Sequence, residues 1–135
     1  MNKIQLGARI ILGLIYFVFG GMGLGIALGL MQMPEQQLPD AAATFMQGIM
    51  ATGYFFPLLK VTEALCGLLL LIGVAAPLAL VIIAPVTLHI ILYHIYLMPV
   101  GPAELAMPVG MGLAQIIAMS AYWDLYKPLF GKRKR

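Results

Sequence analysis

Charge is what this chain has least of: Asp, Glu, Lys and Arg make up 10% of it, against about 25% in an ordinary soluble domain. A surface facing water cannot be covered with so few. Cysteine is nearly absent as well. Cys66 stands alone, which excludes a disulfide scaffold, a zinc ribbon and dithiol–disulfide chemistry within the chain. What is abundant is hydrocarbon: 62% of the residues are hydrophobic and the mean hydropathy is +0.98. That excludes a disordered chain. The 135 residues suffice for one domain, and the composition makes it a membrane domain.

The few charges divide the chain. Residues 10–31 carry none, enough for one span, which needs about 20 apolar residues. Residues 41–59 are uncharged too, but polar at Thr44, Gln47 and Thr52 and broken by Gly53 and Pro57. From Ala64 to Ala103 the chain is again uncharged, for about two spans, with a break between Gly73 and Pro77. A last run, 105–123, ends in the interface-seeking pair Tyr122 and Trp123. These runs predict an all-α membrane protein: a four-helix transmembrane bundle with spans at about 8–30, 55–75, 77–98 and 103–125.

An even number of spans puts both termini on one side, together with Lys3, Arg9, Lys127, Lys132, Arg133, Lys134 and Arg135. The opposite loops receive Glu35, Asp40 and Glu104 and no basic residue. The positive-inside rule then makes the termini cytoplasmic. The first apolar run is longer than the 7–15 residues of a signal-peptide core and lacks a cleavage site, so it is expected to stay as a span. The terminal Lys-Arg-Lys-Arg, directly after a span, reads as an orientation signal that touches anionic membrane lipids, not as a nucleic-acid site.

In the long first loop, Asp40 stands where an N-cap belongs, ahead of a short interfacial helix at about 41–51 that Gly53 would stop. Phe45, Met46, Ile49 and Met50 give it an apolar stripe, which would lie in the outer interface or fold back on the bundle as a lid. Gly21, Gly25 and Gly29 recur every four residues and predict a close-packing or self-association face, an arrangement repeated by Gly110, Ala114 and Ala118. Pro85 is expected to kink the third span, with Thr87 nearby.

An ionisable group inside a span is costly and marks a candidate site. Lys60, Glu63, His89 and His94 qualify. A tight turn centred near Ala76 would set Glu63 level with His89, and Lys60 level with His94. Lys60 and Glu63 share a helix face, although Lys before Glu is the weaker order for an intrahelical pair, and Lys60 can instead snorkel outward. His89 and His94 are five apart, a spacing that does not converge two imidazoles as a metal site needs, and an ammonium lies beside them. No metal is expected. Ser120 lies at a span end and Cys66 among apolar neighbours, which leaves no evident nucleophile. A Glu–His pair suits a proton relay, a site for a quinone carbonyl or lipid headgroup, or a polar lock between helices. Gln115, at about mid-depth of the last span, can join any of these. Tyr16, Tyr54, Tyr93 and Tyr96 read as interface anchors or packing residues.

Several stretches resemble the bacterial DoxX family: Ala8 to Ile15, Ala51 to Glu63, Pro77 to Leu80, Ala84-Pro85, Ile91 to His94, Tyr122 to Asp124 and Lys127 to Phe130. Lys60-x-x-Glu63 with His94 is the most specific part. The resemblance implies a four-helix protein of the bacterial inner membrane. Its relatives include a subunit linked to thiosulfate:quinone oxidoreduction and components of membrane oxidoreductase complexes, so it implies a redox-associated accessory subunit, more than an independent enzyme. Quinone is then the cofactor to expect, and a membrane or peripheral oxidoreductase, or a second copy, the partner. The residues alone fit equally a non-enzymatic module, such as an assembly factor, cargo receptor or small-solute carrier. Four short spans without a repeat leave little room for alternating access.

The topology is testable by cysteine labelling in a Cys66-free background. An impermeant reagent applied to intact cells is expected to label Gln36→Cys and spare Lys132→Cys. Labelling at position 132 overturns the orientation.

Overall fold

A computed structural model describes residues 1–33, 37–98 and 101–131. Glu35 and the basic tail from Lys132 lie outside them. Six helices account for the fold: α1 (Lys3–Ala27), α2 (Asp40–Ala51), α3 (Phe55–Ile72), α4 (Ala76–Leu92), α5 (Pro102–Ser120) and α6 (Trp123–Tyr126). A π-helical turn, Tyr93–Leu97, extends α4, and a 3₁₀ turn, Lys127–Phe130, follows α6. Four of these segments are long and apolar enough to cross a membrane: α1, α3, α4 with its π turn, and α5. The chain is a multi-pass, all-α membrane protein.

Local chemistry sets each boundary. α1 starts five residues before the expected 8 because Asn2 and Gln5 form a capping box, in which each side chain accepts the other's backbone N–H. It ends at Ala27 because Gly29 takes the left-handed conformation (φ +76) and Leu30 N–H reaches back to the Gly25 carbonyl. Gly73 (φ +76) stops α3 at Ile72 in the same way. Prolines open α4 and α5, where their missing N–H costs nothing. Asp40 is not the cap of α2; it is the first helical residue, behind Pro39, and makes no capping bond. The last span ends at Ser120, short of the expected 125, and α6 turns off separately.

The four long helices form a ring in which α1 and α4 each pack against α3 and α5. The start of α1, the α3–α4 turn, the end of α5 and α6 share one end. There Gln5 donates to Ser120 Oγ (3.0 Å), Arg9 Nη1 to Tyr122 Oη (3.3 Å), and Tyr126 Oη to the Pro77 carbonyl (2.6 Å). In this half Leu12, Leu70, Leu80, Ile83 and Ala118 fill a solid core.

The tightest contact is α1 against α3, and the expected glycine face does not make it. Gly21 has nothing within 4 Å of an added Cβ, Gly25 faces only Met31 of the following loop, Gly29 is the cap, and Gly110 faces open space. The contact is made by Gly13, Gly20 and Gly67. A Cβ on Gly67 would strike the backbone of Phe17, and one on Gly20 would lie within 2.9 Å of Glu63 Cβ. Spacing by four marked glycines, but not the ones turned toward a neighbour.

Gly20→Ala and Gly67→Ala are therefore expected to lower stability in detergent by about 1–3 kcal/mol, the usual range for overpacking. Gly21→Ala should melt at or slightly above the parent, as alanine favours the helix. Equal melting of all three removes the backbone contact from the account.

Candidate functional site

The half of the bundle away from the termini is hollow. A cavity of about 910 Å³ opens there between α1, α3, α4 and α5, beneath α2. Phe19, Phe55, Phe56, Ile90 and Met107 are typical of its wall, which is overwhelmingly apolar. Lys60, Glu63, His89 and His94 all line it. The four residues that composition singled out thus share one space, although they do not pair as expected.

Glu63 meets Lys60, not His89. Lys60 Nζ lies 3.1 Å from Glu63 Oε2, within the same helix face, and Glu63 is buried at 4% exposure. Lys60 does not snorkel. Its aliphatic stem lies against Gly23 of α1, where any Cβ would collide with it, and its ammonium stands 5.5 Å from the Phe56 ring centroid. The register explains the missing Glu–His pair. The α3–α4 turn runs from Gly73 to Ala75, so its centre is near Val74, earlier than the expected Ala76. The residue level with Glu63 is then Pro85, which leaves His89 one turn farther along.

His89 is held by the loop helix. Phe45 of α2 stacks on its imidazole at 5.1 Å and tilts against Tyr93 at 5.8 Å. α2 is therefore folded back over the cavity, and Thr44, Phe45, Gly48 and Ile49 contribute to its wall. His94, in the π turn, hydrogen-bonds through Nδ1 to the Ile90 carbonyl at 2.8 Å. A carbonyl only accepts, so Nδ1 carries a proton and donates this bond, which leaves Nε2 as the ring's other polar atom.

Gln115 does not join these groups. It belongs to a separate layer beneath the cavity floor. Tyr16 of α1 hydrogen-bonds Thr87 of α4, whose hydroxyl faces both the Ile83 carbonyl and Gln115 Oε1 (both 3.1 Å), while Gln115 Nε2 donates to the Leu80 carbonyl (2.8 Å). Tyr16, read above as anchor or packing, is 2% exposed and bonded across the middle of the bundle. It also lines the cavity, so it is where the layer and the site meet. Phe45, Tyr16 and Glu104, which lines the rim, went unrecognised as site residues. Only the apolar stripe on α2 pointed toward any of them.

Among the described residues no three of His, Cys, Asp and Glu converge as metal ligands would. The arrangement offers a large apolar volume with hydrogen-bonding groups on its wall. Comparison with family models, with curated proteins and with solved structures finds no match to the chain.

Thr87→Val keeps the shape of the residue while removing the hydroxyl shared by Tyr16 and Gln115. The two stranded groups should lower stability by about 1–3 kcal/mol, read as a drop in melting temperature. A parent-like melt removes the layer as a support of the bundle.

Proposed function

We propose that this is a DoxX-like protein of the bacterial cytoplasmic membrane, with cytoplasmic termini, that binds a quinone or lipid-like molecule near Glu63 and His94. In this reading it serves as a redox-associated subunit beside a membrane or peripheral oxidoreductase. The observation that carries the binding role is the cavity of about 910 Å³. Its size is at the upper end of small-molecule sites, which run about 300–1,000 Å³ and combine apolar walls with a few convergent polar groups. Phe45, His89 and Tyr93 supply ring faces beside it, Glu63 and His94 hydrogen-bonding atoms. The redox association rests on the resemblance alone.

One observation favours the second reading, a non-enzymatic module whose polar groups lock the fold: the Lys60–Glu63 pair is satisfied within α3 without any ligand. Filling the cavity separates the two. Gly48 lines it from α2, and a Cβ there meets nothing within 4 Å, so Gly48→Phe adds bulk at the cavity wall with no clash at its Cβ. In lipid nanodiscs the parent is expected to retain a decyl-substituted benzoquinol, the reduced, hydroxyl-bearing form of a quinone, measured by native mass spectrometry. Gly48→Phe should lose it by about tenfold or more at unchanged melting temperature. No retention by the parent, or equal retention by the variant, overturns the binding role.

A further inference from the structure

We propose that the cavity selects amphiphiles with an uncharged, hydroxyl-bearing head over anionic ones, and that Glu63 sets this selectivity by neutralising Lys60. The inference rests on the binding role above and specifies its ligand.

The charges on the cavity wall are one ammonium, Lys60, and two carboxylates, Glu63 and Glu104. The ammonium is already committed. It lies 3.1 Å from Glu63 Oε2, its stem is pressed on Gly23, and Phe56 stands beside it. Wherever the shared proton resides, the pair presents no net charge to a ligand. An anionic head would have to draw Lys60 away and leave the Glu63 carboxylate, 4% exposed, without its partner. Breaking a buried pair from one side is strongly unfavourable, because a charge stays behind without water or counter-charge. Glu104 adds repulsion at the rim.

An uncharged head makes no such demand. Glu63 Oε1 has no hydrogen-bond partner among the described residues, and His94, whose Nδ1 donates to Ile90, shares the same wall. The free carboxyl oxygen accepts, so the matching head donates: an alcohol or a phenol at the end of an apolar body. The body is accommodated by Phe19, Phe55, Met107 and their neighbours on the wall.

The test is a competition between dodecanol and dodecanoate for the full chain in neutral-detergent micelles, with retained amphiphile read by native mass spectrometry. The parent is expected to favour the alcohol by about tenfold or more. Glu63→Gln frees the ammonium and should reverse the preference, while the double variant Lys60→Gln/Glu63→Gln should restore it. A parent that takes the carboxylate equally or better overturns the proposal, whether or not the variants fold. So does a folded Glu63→Gln that shows no shift toward the carboxylate. Retention of neither amphiphile by the parent, together with no retention of the benzoquinol, overturns the binding role itself. Retention of both without discrimination overturns only the charge selectivity.

Discussion

A polar group inside hydrocarbon has no water to turn to, so it must find its partner within the protein. That requirement organises this bundle. Lys60 and Glu63 satisfy one another, His94 returns to the carbonyl of its own preceding turn, and Tyr16, Thr87, Gln115 and Leu80 close a chain across three helices. The chain lies between two unlike halves. On one side Leu12, Leu70 and Leu80 pack solidly; on the other the helices enclose a hollow. A polar layer at that boundary ties α1, α4 and α5 together where packing alone stops, which lets the far half stay open without the helices drifting apart.

The close approach of α1 to α3 supplies the second support. Because Gly13, Gly20 and Gly67 bring two backbones together, the next glycine on that face of α1, Gly23, meets α3 at Lys60. A lysine near a membrane interface ordinarily extends toward water. Here its stem lies along a bare backbone, and the ammonium turns inward to the carboxylate one turn away. The glycine thus acts on charge placement as well as on packing. The weaker Lys-before-Glu order of the pair costs a few tenths of a kcal/mol in an exposed helix, which is small beside the cost of an unpaired carboxylate in this position.

Composition and charge spacing were enough to read the class of fold and the number of long apolar helices, because hydrocarbon admits few structures, and they singled out candidate residues because it penalises each ionisable group individually. Lys60, Glu63, His89 and His94 stood out for that reason, and they do share one cavity. Their pairing was not legible. It depended on the centre of one turn, and the left-handed Gly73 and Ala75 moved that centre by about two residues, enough to put Pro85 level with Glu63. The close-packing reading of the glycine stripe failed for a related reason, while its alternative, a self-association face, concerns a second copy. A spacing of four identifies a stripe on α1 but not its direction, and the stripe at Gly21 faces outward. Neutral partners such as Tyr16 and Thr87 carry no signal of cost in a sequence, so their bond could only be seen in three dimensions.

The role of α2 follows from what it covers. It is too short to span, with 12 residues, and its one deeply buried residue, Ala42, gives it little core of its own. What holds it over the cavity is the Phe45 ring against His89 and Tyr93, a stack of aromatic faces worth about 0.5–1.5 kcal/mol beyond the area it buries. An attachment of that size is released far more readily than the α1–α3 contact, in which backbones touch. The bundle therefore combines a wall in which two backbones touch with a cover held by side chains. His89 therefore joins cover and cavity: it stacks on Phe45 of α2 and lines the space beneath.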